Sequence, residues 1–174
     1  AGLLTLLPCA RGLALAGALL TPAPDAGVIA IRPSNISAFA RIQLNWGWWR
    51  KPHRATLAEA LSHTFNTTDP REGAELHSAF VHDSGRALFE IALPWLDGNK
   101  TTTVDPRLVT VPLLFVAADH DKLTPPGVVR RSAERFGHVA DYVVYPGQGH
   151  WVLGQPGWER IAEHTVAWLD GKAA

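Results

Sequence analysis

Two aspartates and one histidine stand where chemistry is possible. Asp119 and Asp121 follow the continuous apolar run from Val111 to Ala118. His150 follows the shorter run from Asp141 to Tyr145, inside Pro146-Gly147-Gln148-Gly149-His150-Trp151. A carboxylate bonded to one imidazole nitrogen fixes the tautomer and leaves the other nitrogen free to take a proton from a nucleophile; it then stabilises the imidazolium that forms. By position alone either aspartate meets that need. A histidine between glycines is by itself an ordinary turn residue, and only the acid at a neighbouring strand end gives it a chemical meaning. His53, His63, His77, His82, His120, His138 and His164 show no ligand spacing. His77 and His82 do not fall on one helical face. No metal site is expected from them. Cys9 lies in an apolar stretch with no base beside it in sequence, so it reads as a small buried hydrophobe. Asn-x-Ser/Thr sequons at Asn35, Asn66 and Asn99 carry no meaning without secretion.

The elements that must position these groups are legible from pattern. Gly2 to Ala10 reads as helical, with Pro8 a kink or early stop. Leu13 to Leu20, Val111 to Ala118 and Asp141 to Tyr145 read as strands, the first two buried on both faces of a parallel sheet. Between the first and second strands lies a helical block with no strand signal. Ser34 to Arg50 carries a helical pattern with Ile36, Phe39, Ala40, Ile42 and Leu44, followed by Trp46, Trp48 and Trp49. These tryptophans are expected to form a core packed on the sheet domain. Thr56-Leu57-Ala58-Glu59 is a capping box, Asp69-Pro70 opens a helix to about Val81, and Ser84 caps another. Thr124 with Pro125 and Pro126 starts a helix that Gly137 follows. The last helix carries Trp158, Ile161, Ala162, Thr165, Val166 and Leu169 at helical spacing. Strands alternating with helices mean an α/β sheet covered on both faces, with functional groups beyond the carboxyl ends of the strands.

Composition narrows the classes. The 174 residues fit one domain on length alone. Lys and Arg total 16 and so do Asp and Glu, so the chain lacks the basic excess that neutralises phosphates and no nucleic-acid partner is expected. One cysteine cannot form an internal disulfide. Leu3 to Leu20 is apolar but broken by Pro8 and Arg11, so neither a signal peptide nor a membrane span is expected.

The G-x-G-H of Gly147–His150, the D-x-x-T-P-P of Asp121–Pro126 and the strand order resemble the C-terminal half of an α/β-hydrolase. The resemblance covers essentially the whole chain, with the helical block matching only as a generic cap. It implies about three parallel strands with flanking helices and a helical cap inserted after the first strand. The implied division is 1–24 for the first helix and strand, 25–104 for the cap and 105–174 for the C-terminal core. It further implies His150 as general base and Asp121 rather than Asp119 as its orienting acid, because the family's acid stands just before the T-P-P helix start. Trp151 and the cap aromatics would shape the substrate pocket.

In that family the order is nucleophile, acid, histidine, with the nucleophile in a G-x-S-x-G elbow. No G-x-S-x-G occurs here, and His82-Asp83-Ser84-Gly85 lacks the first glycine and the preceding strand. Ala1-Gly2-Leu3-Leu4 resembles the residues just after an elbow. The absence of Met and the start at Ala1 fit a C-terminal fragment, its nucleophile two positions upstream and the N-terminal half of the domain a missing partner. The implied function is hydrolysis of small apolar carboxylic esters without a cofactor, by a serine or, as in dehalogenases and epoxide hydrolases, an aspartate. The alternatives are a non-catalytic relative that binds an apolar ligand or partner, and a non-functional truncation with Leu13 to Leu20 as an open apolar edge.

Overall fold

The computed structural model describes residues 2–29 and 39–173. Its first helix, α1 (Gly2–Ala10), buries Leu3, Leu6 and Cys9, one residue per turn on a single face. Strand β1 (Gly17–Leu20) follows, shorter than the apolar run from Leu13 to Leu20 suggests. Leu13 and Leu15 are 74% and 80% exposed. An apolar run records what can be buried, and only Gly17 to Leu20 finds a partner strand to lie against.

The segment between the first two long strands is mostly helical. A 3-10 turn (Trp48–Arg50) leads into β2 (Pro52–His53). Helix α2 (Leu57–Glu59) starts at the expected capping box: the Thr56 hydroxyl accepts from the Glu59 N–H while the Glu59 carboxylate accepts from the Thr56 N–H. It continues as a π turn over Ala60–Thr64. In α3 (Pro70–Ser78) Asp69 accepts from the Arg71 and Glu72 amides, and the helix ends before Val81. Then come β3 (Asp83–Ser84) and α4 (Gly85–Ala92), capped by the Ser84 hydroxyl.

Two expectations fail in this segment. It does contain strand, because β2 and β3 pair antiparallel, Pro52 with Ser84 and His53 with Asp83. A ladder of two residues leaves no alternation for a sequence pattern to record. The tryptophans also do not pack on the sheet domain. Trp48 is buried against Trp49, His53 and Phe89 within the segment, while Trp46 is 89% exposed. Residues 39–43 are helical as expected. The part of that pattern carrying Ile36, and the sequon at Asn35, lie outside the described residues.

The sheet is completed by β4 (Leu113–Ala118), buried at every position, and β5 (Ala140–Tyr145). Helix α5 (Pro126–Arg135) joins them and α6 (Trp158–Ala173) closes the chain. The order is β1-β4-β5 and both pairings are parallel. Alternation along β4 divides the core in two. Leu113, Phe115 and Ala117 join Leu3, Leu6 and Cys9 of α1 and Val129, Ala133 and Phe136 from α5 and its end. Leu114, Val116 and Ala118 join Tyr145, Val152 and Ile161 on the other face. The inner stripe of α6 includes Trp168, whereas Val166 is 56% exposed. No described helix is long and apolar enough to cross a membrane.

Candidate active site

Parallel strands end together, so the turns after β1, β4 and β5 share one edge of the sheet. The turn after β4 carries Asp121, which is 3% exposed. Its Oδ1 accepts the Leu123 and Thr124 amides, both at 2.8 Å, an arrangement that bends the chain into α5. Its Oδ2 accepts the Thr124 hydroxyl at 2.8 Å and faces His150 Nδ1 at 2.9 Å. Burial works against the charged carboxylate, but the bond and charge of His150 and the bonds from Thr124 outweigh it and hold the Asp121 carboxyl below its usual range.

Asp119 has a different task. Its Oδ1 accepts the Gln148 amide at 3.2 Å, which ties the acid-bearing turn to the histidine-bearing one. The two turns are also joined by the His120 amide donating to the Gln148 carbonyl at 2.9 Å. The acid in contact with His150 is therefore Asp121.

Thr124 does not cap α5 as the sequence suggests. Pro125 occupies the cap position without a side-chain bond. The Thr124 hydroxyl instead reaches Asp121 and the Thr21 carbonyl at 3.1 Å. Thr21, at the end of β1, in turn donates its hydroxyl to the His150 carbonyl at 3.3 Å. Its backbone sits in the left-handed region at φ 41°, a conformation that costs of order 1 kcal/mol for a residue with a Cβ and persists only where surrounding bonds fix it. Thr21 thus holds both turns from below.

His150 borders a cavity of about 280 Å³, lined on its apolar side by Phe39, Ile42, Phe80, Leu88 and Leu123. Among the described residues no hydroxyl or thiol is hydrogen-bonded to His150 Nε2. Trp151 packs edge-on against Phe65 at 5.7 Å between centroids, and Phe65 lies against Phe80 at 5.6 Å. Trp151 itself is not among the residues lining this cavity. Cys9 is 1% exposed in the core, and burial pushes its thiol up.

Residues 95–171 match the α/β-hydrolase family described as TAP-like protein. Solved structures extend the likeness to nearly the whole chain. A monoacylglycerol lipase from Paleococcus ferrophilus superposes with a TM-score of 0.63 at 16% identity, over 98% of this chain and 65% of the lipase. The chain has part of the α/β-hydrolase fold. A thermophilic esterase gives 0.61 at 18% identity, over 98% and 63% of the two chains. The 2-hydroxy-6-oxo-6-phenylhexa-2,4-dienoate hydrolase of Rhodococcus sp. gives 0.60 at 15%, over 95% and 59%. This hydrolase-fold chain thus spans less than two thirds of each of those proteins. No curated protein sequence matches it.

The sequence pointed to Asp121 and His150 as candidates. It gave no sign of Thr21, Thr67 or Gln155, which together with Gln148 hold the two turns in place. A polar residue next to a candidate turn is a weak signal, and only Gln148, inside the G-x-G-H motif, carried one.

Proposed function

We propose that this chain supplies the acid and base of a hydrolase for small, apolar carboxylic esters, working with a serine or aspartate nucleophile outside the described residues. The observation that carries the proposal is the 2.9 Å contact of His150 Nδ1 with a buried carboxylate at the ends of adjacent parallel strands, beside an apolar cavity. Ionised Asp121 holds the proton on Nδ1 and leaves Nε2 as the base. With a serine nucleophile, Nε2 takes the hydroxyl proton as oxygen attacks the ester carbonyl, then passes it to the departing alcohol. Water then attacks the acyl group, giving its proton to Nε2, which passes it to the serine oxygen as the acid departs. With an aspartate nucleophile the attack would fall on an alkyl carbon instead, displacing a halide or opening an epoxide, and His150 would serve the second half only, taking the proton of the water that hydrolyses the alkyl ester so formed.

The start of α1 supports this arrangement. Gly2 abuts Pro22 so closely that a Cβ there would fall 2.2 Å from the proline Cβ. Pro22 follows Thr21, whose hydroxyl holds the His150 backbone. The first turn of α1 therefore lies at the same edge of the sheet as His150.

The test uses a longer chain carrying the residues that precede Ala1, assayed on p-nitrophenyl esters of short acids. His150→Ala and Asp121→Asn should each lower kcat by roughly a thousandfold or more, and the 174-residue chain alone should be inactive. Undiminished hydrolysis by a folded His150→Ala variant would overturn the assignment. A Gly or Ala at the nucleophile position would favour ligand binding in the apolar cavity instead.

A further inference from the structure

Gln155 is 2% exposed and lies in the turn between His150 and α6. Burying an amide is costly unless both of its ends are bonded, and here both are. Its Oε1 accepts the Gly149 amide at 3.1 Å and also the Thr67 hydroxyl. Its Nε2 donates to Gln148 Oε1, and Gln148 Nε2 donates to the Pro156 carbonyl at 3.0 Å. The first of these bonds holds the Gln148–Gly149 peptide, one residue before His150. One of them comes from Thr67, in the segment between β1 and β4, 88 positions away.

The contact is too close for chance filling. A Cβ on Gly149 would stand 2.5 Å from Thr67 Oγ1 and 2.8 Å from Asn66 Oδ1. Asn66 also donates to the His120 carbonyl at 3.0 Å, in the acid-bearing turn. Thus residues 66 and 67 grip both turns of the site at once, one through a backbone carbonyl and the other through the Gln155 amide. The 2.9 Å bond between His150 and Asp121 needs the two turns held in register, and small displacements at such a bond are costly in rate.

We propose that Gln155 is a positioning residue for His150, and that Thr67 couples the seating of the intervening segment to it. The catalytic meaning rests on His150 being the base; the positioning itself does not. The measurement is NMR of the 174-residue chain, following the His150 Nδ1–H proton and hydrogen exchange at Gly149. Thr67→Val keeps the side-chain shape and removes the hydroxyl, while Thr67→Ser keeps the hydroxyl. In Thr67→Val both protons should exchange about tenfold faster, the loss of about one net hydrogen bond, and Thr67→Ser should restore them. Gln155→Leu should have the larger effect, and Thr67→Val decides the matter if that variant fails to fold.

Unchanged exchange at both protons in folded Thr67→Val would overturn the proposal, leaving Gln155 as core filling. Faster exchange that Thr67→Ser fails to restore would overturn the role of the hydroxyl. If the protons respond as expected but the longer chain hydrolyses no ester, the positioning stands and the hydrolase proposal fails.

Discussion

Replacing Asp121 separates what it does for the fold from what it does for His150. The carboxylate accepts four bonds while 3% exposed: from the Leu123 and Thr124 amides, the Thr124 hydroxyl and His150. Asp121→Ala removes all four. The Thr124 hydroxyl can turn to the Thr21 carbonyl, 3.1 Å away, but the two amides lose their acceptor. At 1–3 kcal/mol for each orphaned buried group, and less for the half-buried Leu123 amide, the loss is about 3 kcal/mol. Asp121→Asn keeps an oxygen for both amides and turns an NH2 toward Thr124 and His150, which can then act as acceptors. Its cost is about 1 kcal/mol, the difference between a charged and a neutral hydrogen bond. Urea unfolding followed by tryptophan fluorescence resolves a gap of about 2 kcal/mol as a midpoint difference of about 1 M.

The chemical prediction for the same variants runs the other way. An Asn NH2 makes His150 Nδ1 accept and moves the proton to Nε2, so the fold survives and the base is lost. Nitrogen NMR of the imidazole reads this tautomer directly. The pH dependence has a definite sign. Because the folded carboxyl lies below its usual range, with His150 and Thr124 outweighing burial, its stabilisation is full above the usual carboxylate range and is lost as pH falls through and below it. Wild type and Asp121→Asn should therefore converge in stability on acidification. Equal destabilisation by Ala and Asn, or an unchanged tautomer in Asp121→Asn, would refute this account.

Two further outcomes follow from the packing. Gly149→Ala forces a methyl into Thr67 and Asn66 at 2.5 and 2.8 Å. It should cost about 1–3 kcal/mol in a urea titration and speed exchange of the Gly149 amide. Arg135→Met should expose the cost of Asp25, which is 1% exposed and bonded to Arg135 Nη2 at 3.1 Å. The loss at neutral pH is up to about 3 kcal/mol, the low end for breaking a buried pair because the guanidinium is partly solvated. Burial outweighs Arg135 and raises the Asp25 carboxyl. The folded state thus favours the protonated form, and the penalty should shrink as pH falls through that raised value. A penalty that grows on acidification would contradict it.

The sequence by itself determined what local physics determines. The continuous apolar run of β4 must be covered on both faces, and all six of its positions are buried. The Thr56–Glu59 box, Asp69 and Ser84 start helices because each satisfies amides within three residues of itself. Asp121 and His150 were visible because strand ends mark where a parallel sheet displays its chemistry. By position alone Asp119 and Asp121 were equal, and the D-x-x-T-P-P resemblance favoured Asp121; the tertiary structure shows Asp121 in contact with His150, a contact that depends on the side chain's direction out of a turn. It alone shortened β1, because Leu13 and Leu15 are apolar but have no strand beside them. It alone recruited Thr124 to Asp121, and brought Thr67 to Gln155 and Thr21 to His150 across 88 and 129 positions. Bonds of that span leave no periodicity in the chain, because they are set by where elements pack and not by which residues are neighbours.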